Sequence, residues 1–260
     1  MPQAGIVYLT YHELQMPGRP LCLPGEAYER FTVQESEFRR QLARLHSLGF
    51  RAMNVSGALR SLSPGERGVA VTFDDGCESD LLAAAPALRD AGFNATFYAV
   101  VDWLGRRGWL SEAQLRELSD SGFEIGCHSK SHAYLNDLGP DGLEEEIVKA
   151  KDQLEQIIGK RVDHLSCPGG RWNRKIAQVA RDAGYLSVAT SRIGTNLPSR
   201  DAFCLNRVGV VKSTTLDEFS RLCRAEGFFV RRARYTVLAA VKHLLGNALY
   251  DKLWSAVLNR

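Results

Sequence analysis

The sequence predicts an α/β fold in which parallel strands, each followed by a helix, form a sheet or barrel. Short apolar runs alternate with segments whose apolar residues recur at helical spacing through most of the chain. Seven or so such units succeed one another, and no sequence repeat of about 20 to 50 residues points to a solenoid instead. The 260 residues with 45% hydrophobic content suit one large core better than two small ones.

The first strand is expected at 6–12 (Ile-Val-Tyr-Leu-Thr-Tyr-His), followed by a Pro- and Gly-rich loop. Over 33–48, Phe38, Leu42, Leu45 and Leu48 share one helical face, and Gly49 stops the helix. Strands follow at 51–55 and 69–73, then a helix over 79–91 closed by Gly92, and a strand at 95–100. Ser111 with Gln114 three residues on makes a capping box for a helix that ends near Gly122, ahead of a strand at 123–128. The longest helix is predicted over 141–158. Strands at 163–167, 186–189 and 205–211 complete the series, with helices at 173–183 and 215–225. From Phe228 onward arginines and lysines interleave with apolar residues at helical spacing, which divides the chain into a domain at 1–227 and a basic amphipathic helical tail at 228–260. Such a tail either packs on the domain's flank or makes peripheral contact with an anionic membrane surface.

With 33 basic and 30 acidic side chains the net charge is +3, so no global field points to nucleic acid. No apolar run reaches the roughly 18 residues that span a bilayer, and the start lacks a basic segment followed by a long apolar one. The chain as written is therefore expected to be cytoplasmic or peripheral to the inner membrane. Its six cysteines, Cys22, Cys77, Cys127, Cys167, Cys204 and Cys223, form no Cys-x-x-Cys pair and are read as packed free thiols without chemistry.

Chemistry concentrates at two strand ends. Val71-Thr-Phe-Asp-Asp-Gly76 ends an apolar run in two adjacent carboxylates, which is either a strand-ending turn or a pair of groups turned into a cleft. His128-Ser-Lys-Ser-His132 supplies two imidazoles four residues apart, which on a helical turn project from one face and can hold one metal ion. Strand C-termini of a parallel barrel open onto one face, so Asp74, Asp75, His128 and His132 are expected to converge there. Two histidines and one carboxylate make an open metal site with positions left for water and substrate.

Thr72-Phe-Asp-Asp-Gly76 followed by His-Ser-x-x-His resembles the first two motifs of the polysaccharide deacetylase family, also known as the NodB-homology or carbohydrate esterase family 4 domain. The resemblance implies a deformed (β/α)7-type barrel over about 5–225. It also implies a divalent metal, Zn2+ above others, on Asp75, His128 and His132, with Asp74 as general base. The third motif, Arg-x-Pro-x-Gly in the family, reads Ser166-Cys-Pro-Gly-Gly170 here, without the arginine that orients the base. Pro168 and Gly170 are carried over as substrate-binding positions. Arg171 is either a substitute for that arginine, approaching from the other side, or a solvated charge. Trp172 either floors a sugar site or belongs to the core. Arg207 either meets Asp74 across the cleft or pairs on the surface. The family's Asp-Trp and Leu-x-His motifs are absent, so His12, at the end of the first strand, is expected to act as general acid. Its Tyr11-His12 opening, with Gly194-Thr-Asn196 and the segment from Asp201 to Arg207, is similar to the branch that deacetylates exopolysaccharides such as poly-N-acetylglucosamine. The implied activity is removal of the N-acetyl group from an N-acetylated carbohydrate in bacterial surface glycan synthesis. Rivals are O-deacetylation, hydrolysis of another amide, a catalytically impaired sugar-binding relic, and a membrane-surface scaffold.

Overall fold

All five side chains of Val7–Tyr11 are buried, a pattern that requires a strand covered on both faces. The computed structural model describes residues 5–60 and 67–228. This first strand, β1, is followed by β2 (Leu14–Gln15), β3 (Val33–Gln34), β4 (Phe50–Met53), β5 (Arg67–Phe73), β6 (Thr96–Ala99) and β7 (Glu124–Cys127). Then come β8 (His164–Ser166), β9 (Ser187–Ala189) and β10 (Val208–Gly209). Among the described residues eight of them form one sheet in the order β10-β1-β5-β6-β7-β8-β9, with β4 beside β5, while β2 and β3 pair separately. Every pairing in the sheet is parallel. Strand β5 carries β1 along one edge and divides the other between β4 over its first half and β6 at its C-terminal end.

The curled sheet is closed by the segment after β9. Leu205 bridges Ala189 of β9, and three residues later Val208 pairs with Leu9 of β1. The strand expected over 205–211 is therefore broken in two, because this segment changes partners across the closing gap. Asn196 and Asn206 hold the break: Asn206 N–H donates to Asn196 Oδ1 and Asn196 Nδ2 donates to Asn206 O, each at 2.8 Å. Here the closing segment turns Arg207 inward, where it lies buried.

Helices cover the sheet as their periodicity predicts. Glu35–Ser47 buries Phe38, Leu42 and Leu45 together with Gln41, whose Oε1 accepts from Tyr11 Oη at 2.9 Å. Glu112–Asp120 starts with the Ser111/Gln114 capping box. Two helices depart from regularity. The segment expected at 79–91 opens with a π turn at Asp80–Ala84 before Ala85–Asp90; Pro86 has no N–H to donate four residues back, and the wider turn absorbs the gap. The segment expected at 141–158 contains a π turn at Glu144–Lys149 between Pro140–Leu143 and Ala150–Ile158. The tail helices expected over 228–260 lie outside the described residues beyond Phe228. Among the described residues no helix is long and apolar enough to cross a membrane.

Candidate active site

The C-terminal ends of β1, β5, β7 and β8 meet at the same end of the parallel sheet, and each delivers a polar side chain there. The turn after β5 depends on backbone geometry that few residues adopt. Asp75 has φ of 84° and Gly76 of 77°; a Cβ on Gly76 would also come within 3.2 Å of Ala99 Cα in β6. The left-handed turn aims the two neighbouring carboxylates at different partners. Asp74 stays in register, its N–H donating to Tyr11 O at 2.9 Å.

Asp74 is paired. Arg207 Nη1 and Nη2 donate to its two oxygens at 2.7 and 2.8 Å, a bidentate fork between two buried side chains. Arg207 Nη2 also donates to Ser166 Oγ at 2.8 Å, Arg207 Nε donates to Thr190 O at 3.0 Å, and Ser166 Oγ lies 3.3 Å from both Asp74 oxygens. Burial alone would raise the Asp74 carboxyl, but the Arg207 guanidinium, with His128 behind it, holds it well below the usual carboxylate range.

Asp75 has no such partner. Its Oδ1 lies 3.5 Å from His128 Nε2 and 3.6 Å from His132 Nε2, yet it is buried without a hydrogen bond. Burial first, and the Asp74 charge second, push its carboxyl up to about 8. Burial likewise pushes His128 down to about 3 and lowers His132, so both imidazoles are neutral near pH 7. His128 Nδ1 lies 2.9 Å from Ser166 O; a carbonyl only accepts, so Nδ1 carries the proton and Nε2 presents its lone pair to Asp75.

These three residues fit a metal ion. Their ligand atoms all lie within 4.8 Å of one another. Four ligands at zinc distances around a tetrahedron are spaced by about 3.3 Å, close to the observed separations from Asp75 Oδ1. A buried carboxyl oxygen without a hydrogen bond, facing two neutral imidazole nitrogens, is a cation's donor set. Three of the four non-glycine residues with positive φ among those described, Asp75, Ser129 and His132, lie in the two loops that supply it.

The expectation of a helical turn for His128 and His132 is corrected. The segment is a loop, and the left-handed backbones of Ser129 and His132, both with φ of 67°, bring the imidazole centroids to 5.0 Å. His132 N–H donates to Ser129 Oγ at 3.0 Å. Glu146, on the π turn, accepts from Lys130 N–H (2.9 Å), Ser131 N–H (2.8 Å) and Ser131 Oγ (2.5 Å), and so fixes the loop from behind. Trp103 lies 4.8 Å from the His132 ring on the outer side.

Other expected residues divide. His12 stands at the β1 end with Nδ1 buried and unpartnered, its ring 5.3 Å from Phe31. Burial lowers its basicity, while the charge of Asp74 opposes that shift. Pro168 is buried, and Gly170, with φ of 67°, leaves no room for a side chain against Ser191. Arg171 does not approach Asp74: its guanidinium stacks 3.8 Å over Tyr134 and lies 3.4 Å from Asp137 Oδ2 at the surface. Trp172 is committed to the scaffold, its indole N–H donating to Phe203 O at 2.7 Å under the Arg192 guanidinium. Ser166, Thr190 and Glu146 were not legible as site residues. Ser166 alone carried a signal, because it occupies the arginine position of the third motif, where its small side chain admits Arg207 from across the barrel.

Comparison with known proteins places this geometry. The polysaccharide deacetylase family model matches residues 62–188, a stretch that contains Asp74, Asp75, His128, His132 and Ser166. YxkH of Bacillus subtilis is 28% identical over 182 residues, covering 68% of this chain and 65% of that protein. The peptidoglycan-N-acetylglucosamine deacetylase of Bacillus cereus is 31% identical over 127 residues, covering 48% and 57%. The chain thus spans just under two thirds, or less, of the length of these relatives. The solved structure of IcaB from Ammonifex degensii superposes with a TM-score of 0.71 at 25% identity, covering 86% of this chain and 98% of that one. What the chain shares with these proteins is a polysaccharide deacetylase region at residues 62–188, with the motif residues at the strand ends of a parallel, curled β/α barrel.

Proposed function

We propose that this protein is a zinc-dependent hydrolase that removes the N-acetyl group from an N-acetylated, GlcNAc-type sugar in bacterial surface glycan synthesis. The observation that carries the reading is the division of Asp74 and Asp75: one ionised and clamped by Arg207, the other unpartnered against two neutral imidazoles. Asp75, His128 and His132 would hold the ion, which when bound supplies a Lewis acid for the acetamide carbonyl and acidifies water. Asp74 takes the proton of the attacking water; Arg207 and Ser166 fix both of its oxygens, so the carboxylate reaches the water in one orientation. His12 takes up one proton from solvent and delivers it to the departing amine, while the proton on Asp74 returns to solvent. Its resting imidazole is neutral, and negative charge developing on the substrate nearby raises its basicity as the C–N bond weakens. The products are acetate and a free amino sugar. The Bacillus cereus relative's name supports N-acetylglucosamine as the sugar class. Arg207 in the place of the missing motif arginine speaks against the impaired relic.

The test is acetate release from N-acetylated and O-acetylated chito-oligosaccharides by the zinc-loaded protein, with Asp74→Asn alongside. Release from the N-acetyl substrate, lowered by orders of magnitude in Asp74→Asn with zinc still bound, is expected. Equal rates for variant and wild type would end the proposal, and release from the O-acetyl substrate alone would move the activity to ester hydrolysis.

A further inference from the structure

Beneath the Asp-Asp-Gly turn a second group of metal-ligating side chains converges, formed by Glu13, Cys22 and Cys77. Their ligand atoms lie within 4.8 Å of one another, although 64 residues of sequence separate Glu13 from Cys77. The chain path brings them together: Glu13 follows β1, Cys22 lies in the loop after β2, and Cys77 is the residue after Gly76. The cluster is built, not accidental. Both Glu13 oxygens accept from Cys22 N–H, at 3.1 and 3.0 Å, and the Tyr28 hydroxyl lies 3.6 Å from Cys77 Sγ. A carboxylate has about four acceptor positions, so Glu13 keeps lone pairs free. Without a cation the Cys22 S–H donates to Gly108 O at 2.8 Å.

A second observation is independent of the cluster. Asp80 is wholly buried, and neither of its carboxylate oxygens has a hydrogen-bond partner. Its N–H donates to Cys77 O at 3.0 Å, so it sits one turn beyond the thiol. Its carboxyl is raised by burial first and then by the charges of Asp75 and Glu13, and Asp80 in turn acts on Cys77. A carboxylate left bare inside a protein costs several kcal/mol unless a proton or a cation accompanies it. Two thiols and a carboxylate whose ligand atoms lie within 4.8 Å of one another make a donor set for a cation, with the bare Asp80 carboxyl one turn beyond Cys77, and thiolate sulfur selects zinc among the common divalent ions.

We propose that Glu13, Cys22 and Cys77 form a second zinc site, with Asp80 as the adjoining acid, that ties the loop after β1 to the turn carrying Asp75. On binding, each thiol releases its proton to solvent as a sulfur–zinc bond forms, and the Cys22 bond to Gly108 O is given up. No electrons move. The site is structural: it joins the segment that carries His12 to the segment that carries Asp74 and Asp75, and it stands whether or not the protein hydrolyses an amide.

The test uses the full chain, freed of metal and titrated with Co2+, whose thiolate complexes give an intense near-ultraviolet charge-transfer band that His and carboxylate ligands do not. Two equivalents of bound cobalt are expected, one of them with the sulfur band. Cys22→Ser, at a half-buried position outside the active-site turn, should lose the band and one equivalent. Asp75→Ala should lose the other equivalent and keep the band. A wild-type protein that binds a single equivalent without the band overturns the proposal regardless of how any variant folds. So does a Cys22–Cys77 disulfide, seen as a loss of two mass units reversed by reductant, in protein isolated under reducing buffer.

Discussion

Arg207 gives the sharpest test of how the site is held together, because all that it binds is inside the barrel. Arg207→Met keeps the length of the side chain and removes the cation. The variant leaves Asp74 buried without its countercharge, and leaves Ser166 Oγ and Thr190 O each without a donor. Breaking one side of a buried ion pair costs about 3–5 kcal/mol. At about 2–4 °C per kcal/mol for a domain of this size, the melting temperature should fall by roughly 10 °C. Urea unfolding of the metal-free protein, so that no cation substitutes for the arginine, should move its midpoint with an unchanged slope. The pH dependence separates charge from packing. In the wild type the Asp74 carboxyl is held low, so its stabilisation is complete above the unfolded value of about 3.9 and is lost only as pH falls through the folded value. In the variant burial acts alone and raises that carboxyl, so stability is lost as pH climbs above about 4. The gap between the two proteins should therefore widen from pH 4 toward 7. Adding Asp74→Asn to the variant removes the orphaned charge and should recover about 2 kcal/mol. A gap that stays constant with pH, or single-variant costs that simply add in the double variant, would refute this account.

Two further outcomes follow from the metal ligands and their support. With Asp75 raised to about 8, the folded metal-free protein holds a proton that the unfolded chain releases above about 3.9, so that contribution is lost as pH rises from 5 to 8. Bound zinc replaces the proton, so the metal-loaded protein should gain on the metal-free one by several kcal/mol over that range, measured as the difference in melting temperature at each pH; a pH-independent difference would contradict it. Glu146→Met keeps most of the volume and removes the acceptor shared by two backbone N–H groups of the histidine loop. Zinc affinity at the Asp75 site, read by competition with a chelator, should drop about 10- to 100-fold with the fold intact, and an undiminished affinity would show that the loop needs no such support.

What was legible in the sequence, and what was not, follows from the range of the forces involved. Strands β1 and β5 announce themselves because strands buried on both faces are largely apolar along their length, and the helix over Glu35–Ser47 because one face must be. The two site motifs are legible because each lies within five residues of sequence. The spacing of His128 and His132 suggested a helical turn, since period reasoning assumes regular backbone; non-glycine residues at positive φ carry no mark in composition. Arg207 lies 133 residues from Asp74, and only closure of the barrel shows that it reaches the carboxylate. Arg171 drew attention through sequence proximity to the altered motif, but the left-handed turn at Gly169 and Gly170 sends it outward to Tyr134. Cys22 and Cys77 carry no mark of chemistry in the sequence for the same reason: a cluster assembled from three loops has no local pattern.

The two aspartates at the end of β5 are covalent neighbours with nearly the same burial, yet the barrel gives them opposite electrostatic fates. The available cation is Arg207, and both of its fork nitrogens go to Asp74. Asp75 is thereby left as a buried carboxyl that must take either a proton or an ion. A proton would satisfy the carboxyl but not its surroundings: His128 is locked by Ser166 O with its Nε2 lone pair directed at the same space, and burial keeps His132 neutral beside it. The His128 lone pair and a carboxylate oxygen repel one another across 3.5 Å unless something positive lies between them, and the neutral His132 ring faces the same oxygen at 3.6 Å. A metal ion resolves all three at once, and it does so because Arg207 has already been spent on Asp74. The arginine that entered from the far side of the barrel thus fixes the role of both carboxylates, one as an ionised base and the other as a ligand.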